Sequence, residues 1–315
     1  MDASLLTRVD REVRKNLPTV YSVLVARGGD IVFEEYYQGR RRSDRFGIRS
    51  VTKSVISALI GIALRDRYLG DLDQSIAAFF MQSGSLEADP RKRTITIRHL
   101  LAMTAGFVCE VGGYIGGRAG SGDWAAAMLQ RPLAHDPGTV FAYDDGASQI
   151  LSAILVKVTG MSVLAFAQRY LFGPLGLSTP EWEADSGGTH IGGWGLSLTA
   201  RDMATFGALY LHDGRWNDRQ IVPVEYVQAS TTEHTPGGFP EEVGYGYHWW
   251  VTTVGWHHAF FAAGYGGQYI FVVPDLDLVA VTTARHDLAP ADLPDIRYLI
   301  TDFVVPAAEG GARQT

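Results

Sequence analysis

The sequence predicts a mixed α/β (α+β) chain: one antiparallel β-sheet flanked by helices, plus an inserted, mostly helical region. Three observations carry this. Tyr21 to Gly39, "YSVLVARGGDIVFEEYYQG", reads as two β-rich runs split by Arg27-Gly28-Gly29-Asp30, a hairpin signal. Towards the other end the apolar period becomes two, in "YGYHWWVTT", "HHAFFAAG", "QYIFVVP" and "LVAVTTA", with Gly, Pro and Asp at the joins. Between them, from about Asp71 to His190, the text is helical and loop-rich. The two chain ends therefore share one sheet. The implied division is a discontinuous sheet domain of residues 1–70 and 191–315 and an inserted helical domain of residues 71–190.

The elements follow in order. "RSVTKSVISALIG" opens a helix that is apolar nearly all round, from Val51 through Val55, Ile56, Leu59 and Ile60 to Leu64, and such a helix is buried. "TITIRHLLAMTAG" is a short helix with a threonine entry, and "DWAAAMLQR" is another. "DGASQILSAILVKVTG" is a longer one stopped by Gly160. In "TARDMATFGALYLHDG" Thr199 is the N-cap and Gly214 the stop. "DLPDIRYLITDFVV" closes the chain as a helix. The glycine-rich "GGYIGGRAGSGDW", Gly112 to Trp124, lacks the Gly-Lys-Ser/Thr ending of a phosphate loop and reads as a mobile loop.

Composition removes several function classes. The 315 residues are 46% hydrophobic, enough for a large core. The net charge of −7 leaves no basic face for nucleic acid, and the one basic cluster, "GRRRSDR", reads as a solvated turn. No segment has bilayer-spanning length. The N-terminal "MDASLLTRVDREVRKNL" mixes acids with bases and has no apolar leader core, so a cytoplasmic location is expected. Cys109 is the single cysteine, which excludes an intrachain disulfide and a cysteine-based metal site. No cofactor and no metal are expected, and the partner is a small-molecule substrate.

One lysine stands out. Lys53 follows Ser50 by three residues, so on a helix the two share a face, which Ser54, Ser57 and Gly61 extend with small residues. A buried ammonium is costly unless it is paired or its pKa falls. Only 4 of the 27 basic residues are lysine. Arginine carries the ordinary surface charge here, and arginine cannot give up its proton, whereas a desolvated lysine can. The spacing alone is weak evidence, because about 0.2 such pairs arise by chance in a chain of this composition. A lysine snorkelling out of a first turn capped by Ser50 fits it equally.

The wider text settles the matter by resemblance. "FGIRSVTKSVISALIGIAL" resembles the nucleophile region of the serine β-lactamase-like hydrolases. That group includes class C β-lactamases, D-Ala-D-Ala carboxypeptidases, family VIII carboxylesterases and 6-aminohexanoate-dimer hydrolases. "TIRHLLAMTAGF", "PGTVFAYDDGASQILSAILVKVTG", "GGWGLSLTARDMATFGALYLHDGRWNDRQIV" and "AAGYGGQYIFVVPDLDLVAVTT" are similar to the segments that follow, in order, over Tyr21 to Val304. The resemblance implies a β-lactamase/penicillin-binding-protein-like fold and an acyl-enzyme mechanism. Ser50 is then the nucleophile and Lys53 its neighbour, and Tyr143, in "FAYDD", matches the motif tyrosine. Either Lys53 or Tyr143 is the general base. The oxyanion donors are Ser50 N–H and an N–H just after the third motif, Ala262-Ala263-Gly264, with Tyr265 chosen and Gly266 as the slip-by-one alternative. Glycines at 264, 266 and 267 fit close approach of a substrate to the backbone.

Two departures bear on substrate. Carboxylate-binding relatives carry Lys or His where Ala262 aligns, and His257 and His258 lie upstream on the same run. Asp145 replaces the usual Asn of Tyr-x-Asn. It either reaches Lys53, holding it as an ammonium and shifting base duty to Tyr143, or caps the helix beginning near Gly146. Phe107, Tyr114, Trp124, Trp182, Trp249 and Trp250 are the candidates for an apolar pocket, about half of them expected to be ordinary packing. The expected activity is a serine hydrolase, first a carboxylesterase on small uncharged acyl esters. The alternatives are an amide hydrolase of the 6-aminohexanoate-dimer type, a β-lactamase or D,D-peptidase, and an acyltransferase using the same acyl-enzyme.

Overall fold

The computed structural model describes residues 1–80, 85–109, 122–177 and 180–312. Helix α1, Ala3–Asn16, starts at Asp2, whose carboxylate accepts the Ser4 N–H at 2.8 Å. It buries Leu6, Val9 and Val13, an i, i+3/i+4 stripe that makes this segment an amphipathic helix. Strands β1, Val20–Arg27, and β2, Asp30–Tyr36, form the expected hairpin. Its turn glycines, Gly28 and Gly29, have φ of 59° and 83°, the left-handed values a tight hairpin demands.

The other strands of the main sheet are β3, Thr235–Gly238, β4, Val243–Tyr245, β5, Trp250–Val254, β6, His257–Gly264, β7, Gln268–Val273, and β8, Leu278–Ala284. They complete an eight-stranded antiparallel sheet in the order β2-β1-β8-β7-β6-β5-β4-β3. β1 pairs with β8, with Val25 opposite Ala280, so the two ends of the chain do share one sheet. The run "YGYHWWVTT" is not one strand. Gly246 to Trp249 leave the ladder between β4 and β5. Their backbone has other partners: His248 N–H donates to the Leu101 carbonyl, and Ser54 and Ser57 hydroxyls donate to the carbonyls of His248 and Tyr247.

Helix α2, Thr52–Arg65, is buried from Thr52 to Ala63, as its all-round apolar text requires. It packs against α3, Asp145–Thr159. Helix α3 is capped by Asp144, and Gly160 ends it in the left-handed conformation at φ 66°. Helix α4, Ala200–Leu211, has the expected Thr199 cap, closed into a capping box by Asp202. The closing helix begins later than the text suggests, with a wide turn over Leu299–Val304 that runs into α5, Val305–Ala312. One continuous hydrophobic core joins sheet and helices. Among the described residues no single helix is long and apolar enough to cross a membrane.

Candidate active site

Ser50 sits in a single 3-10 turn, Arg49–Val51, that leads into α2. The turn is wedged against the end of β6. A Cβ on Gly264 would lie 2.4 Å from the Ile48 carbonyl oxygen and 3.2 Å from Arg49 Cβ, so only glycine lets the strand come this close. Thr52 Oγ1 donates to the Arg49 carbonyl at 2.6 Å and fixes the turn from the other side.

One helical turn on, Lys53 is 1% exposed. Its Nζ donates to Ser50 Oγ at 3.0 Å, to Asp145 Oδ1 at 2.5 Å and to the Gly193 carbonyl at 2.9 Å. Three acceptors use all three ammonium protons. Burial works against the charge on Lys53, but Asp145 and Tyr143 outweigh it, and its pKa lies above the ordinary lysine value. Asp145 therefore reaches Lys53, and the helix cap that was its other possible role belongs to Asp144, which accepts the Gly146 N–H at 2.9 Å. Gly193 reaches Lys53 because Gly192 and Gly193 lie flat on α3. A Cβ on Gly192 would be 2.0 Å from the Ser148 carbonyl, and one on Gly193 would be 2.8 Å from Asp145 Oδ1.

Tyr143, just ahead of the Asp144 cap, stacks on Trp250 at 5.5 Å between ring centroids and meets Tyr245 edge-on. Lys53 Nζ lies 4.8 Å from the centre of its ring. Its hydroxyl interacts with both Ser50 and Lys53. Burial raises the phenol above the usual tyrosine value, with Lys53 pulling the other way. Tyr265 opens the turn after Gly264 and lines the same cleft as Ser50, with its hydroxyl tied to the Leu288 carbonyl at 2.8 Å. Gly266, φ 87°, also lines the cleft, and a side chain there would strike the Arg285 carbonyl.

The Beta-lactamase family model matches residues 8–304. The chain belongs to the Beta-lactamase family. The members of this family are serine hydrolases. The 6-aminohexanoate-dimer hydrolase of Paenarthrobacter ureafaciens is 26% identical over 271 residues, covering 79% of this chain and 69% of that protein. A Bacillus anthracis structure provisionally named a 6-aminohexanoate-dimer hydrolase superposes with a TM-score of 0.81 at 21% identity, over 96% of this chain and 82% of the other. EstCE1, described as a hydrolase with promiscuous acyltransferase activity, superposes with a TM-score of 0.77 at 19% identity, over 96% and 98%.

In this Beta-lactamase family chain the cleft is about 790 Å³, with Phe141, Trp194, Trp250, Tyr269 and Ile296 among its apolar walls. Of the six aromatic candidates among the described residues and beyond, Trp250 lines it. Trp249 does not: it is 0% exposed and packs in the core on Phe206, Tyr210 and Phe260. The chain steps from the loop onto β5 between the two tryptophans, so they face opposite ways. Phe107 and Trp182 are also buried, Trp124 packs beside Trp194, and Tyr114 lies outside the described residues. On β6 the cleft is lined by Ala263, whereas Ala262 is buried among the strands. His257 and His258 stand at the far end of β6, roughly 23 Å from Gly264 at about 3.3 Å per residue. There His257 bonds Asp275 at 2.5 Å and Glu309 at 3.2 Å. The sequence reading missed Arg49, Gly193, Trp194 and the Gly237–Glu241 rim, all of which border this site. Only Arg49 left a signal, a charge placed directly before the serine.

Proposed function

We propose that this chain is a serine hydrolase that cleaves ester or amide bonds of small molecules through an acyl-enzyme on Ser50. The observation that carries the reading is Lys53, buried and donating at once to Ser50 Oγ and Asp145. An ammonium whose three protons are engaged has no lone pair to act as a base. In this reading Lys53 supplies fixed positive charge. Tyr143 exchanges the proton: as phenolate it takes the Ser50 proton while Oγ attacks the carbonyl carbon. The oxyanion is met by the Ser50 and Tyr265 N–H groups, and Tyr143 then hands the proton to the leaving group. Water repeats the sequence on the acyl-enzyme and releases the acid.

The ester reading is supported by an apolar cleft that sets no demand on the leaving group beyond one proton. The amide reading is favoured by the similarity to the Paenarthrobacter hydrolase. Intact-mass spectrometry after exposure to p-nitrophenyl esters, nitrocefin and a linear amide dimer decides between them. A trapped adduct on Ser50 names the acyl class, and Ser50→Ala should form none while melting normally.

The pH profile tests the base. The base must be deprotonated, and burial holds Tyr143 above its ordinary value of 10.0. After background subtraction, kcat/KM should climb about tenfold per pH unit from 7 to 9 without a plateau. A plateau near neutrality would mean that the base loses its proton far below the ordinary values of both Tyr143 and Lys53, and would overturn the phenolate reading.

A further inference from the structure

The cleft carries a charge that the chemistry above leaves unused. Three side chains that can carry charge line it: Arg49, Asp145 and Glu241. Burial raises both carboxyls, with Lys53 and, more weakly, Arg49 opposing it at Asp145, and Arg297 opposing it at Glu241. Asp145 is matched by Lys53 at 2.5 Å, and Glu241 by Arg297 at 3.0 Å with the Tyr269 hydroxyl beside it. Arg131, which reaches the residue next to Asp145, is also matched, by Asp144. Arg49 is not. Among the described residues its guanidinium has no ion pair and no hydrogen bond, although it is half-buried. The cleft is therefore left with one net positive charge in a chain whose total is −7.

The position of that charge is fixed by the fold. Arg49 has φ 51°, a left-handed value uncommon outside glycine. The Thr52 hydroxyl holds its carbonyl, and its Cβ lies where a side chain on Gly264 would have to go. Its side chain leaves the same turn that presents Ser50. Burial and then the Arg49 charge keep His286, on the loop after β8, below the ordinary histidine value, so no second cation forms beside it at neutral pH.

We propose that Arg49 is the anion anchor of this cleft, binding a substrate carboxylate next to the scissile ester or amide bond. The preferred substrates are then monoacids. The expectation of an uncharged substrate rested on the alanine at 262, and this cation stands on a different element. A guanidinium in a partly desolvated site binds a carboxylate by paired charge-assisted hydrogen bonds. This inference rests on the acyl-enzyme reading of Ser50.

The test uses two matched pairs of esters. Mono-4-nitrophenyl glutarate against 4-nitrophenyl butyrate places the carboxylate on the acyl side. 4-(Butyryloxy)benzoate against its methyl ester places it on the leaving side. In the wild-type protein at least one pair should favour the acid by about tenfold or more in kcat/KM, carried by KM. In Arg49→Gln that ratio should fall to about 1 or below, and Arg49→Lys should restore part of it. A wild-type ratio at or below 1 in both pairs overturns the inference without any variant. So does a ratio that Arg49→Gln leaves unchanged. A fluorophosphonate probe separates this from the underlying reading. If Ser50 is labelled and the neutral esters turn over with no preference for acid, the Arg49 inference alone fails. If Ser50 is not labelled and no ester turns over, the hydrolase reading fails and takes this one with it.

Discussion

Asp145→Asn isolates what the carboxylate does for Lys53. Removing it leaves an ammonium in the interior facing a carbonyl and a hydroxyl, and burial then dominates its pKa, which must fall. While the lysine keeps its proton, breaking a buried pair costs about 3 kcal/mol or more, measurable by urea unfolding at pH 7. The sign follows from linkage: the pairing raises the folded lysine pKa, so its stabilisation is present in full below the unfolded value of 10.5 and absent above the folded one. The same variant should bring a plateau into the rate profile at lower pH, as a neutral lysine becomes available as base. An unchanged stability and profile would mean that the pair is inert. Lys53→Arg should be nearly as damaging as Lys53→Ala, since the fork of a guanidinium cannot fill three acceptors arranged around one nitrogen. Substantial recovery of kcat/KM in the arginine variant would show that charge alone suffices. At this scale the sequence was readable where partners are close along the chain. Ser50 and Lys53 are one turn apart and declare themselves. Asp144 and Asp145 are adjacent and equally suited to a helix start, and only the position of Lys53, some 92 residues away, tells the cap from the counter-ion. Trp249 and Trp250 posed the same problem of parity, and the strand boundary between them decided it.

At the scale of elements, α2 and α3 are held together behind the site by a histidine. His248 Nε2 meets Ser148 of α3 at 3.0 Å, its Nδ1 meets the Leu101 carbonyl at 3.0 Å, and its own carbonyl accepts from Ser54 of α2 at 2.6 Å. Burial, and then the nearby Lys53 charge, push its pKa down to about 3. The folded protein therefore keeps His248 neutral, while the unfolded chain protonates it below its ordinary value of 6.5. Between those values the unfolded state binds one more proton, and stability falls as pH falls, by about 1.4 kcal/mol per unit. Urea unfolding at pH 7 and pH 5 should show a steeper loss in the wild type than in His248→Gln. Equal slopes would mean that the ring is not held neutral. The signal for this role was faint, because the histidine lies inside a run that reads as a strand. Long periodic segments such as α2 and β6–β8 were legible because burial imposes its period on them. The Gly246–Trp249 loop was not, because most of its hydrogen-bond partners come from helices about 100 to 194 residues earlier.

Across the whole molecule, the cleft draws on residues 49–50, 141–145, 237–241, 263–267 and 290–296, and Trp194 completes it. Nothing local supports the site, so hydrolysis of an aryl ester and near-ultraviolet circular dichroism should be lost over the same urea range. Activity that fades well before the tertiary signal would mean that the cleft opens separately from the core. This dispersal also explains why the rim at Gly237–Glu241 was invisible as part of the site: its neighbours are neighbours only after folding. The pairing of β1 with β8 carries a last consequence, for the order of events on a ribosome. The β1–β2 hairpin emerges well before the strand that covers its inner edge, Leu278–Ala284. Until that strand arrives the edge waits uncovered, offering Val23 and Val25 to any other extended chain. Nascent chains stalled before Leu278 should thus depend on holding chaperones in a way that chains released after Ala284 do not.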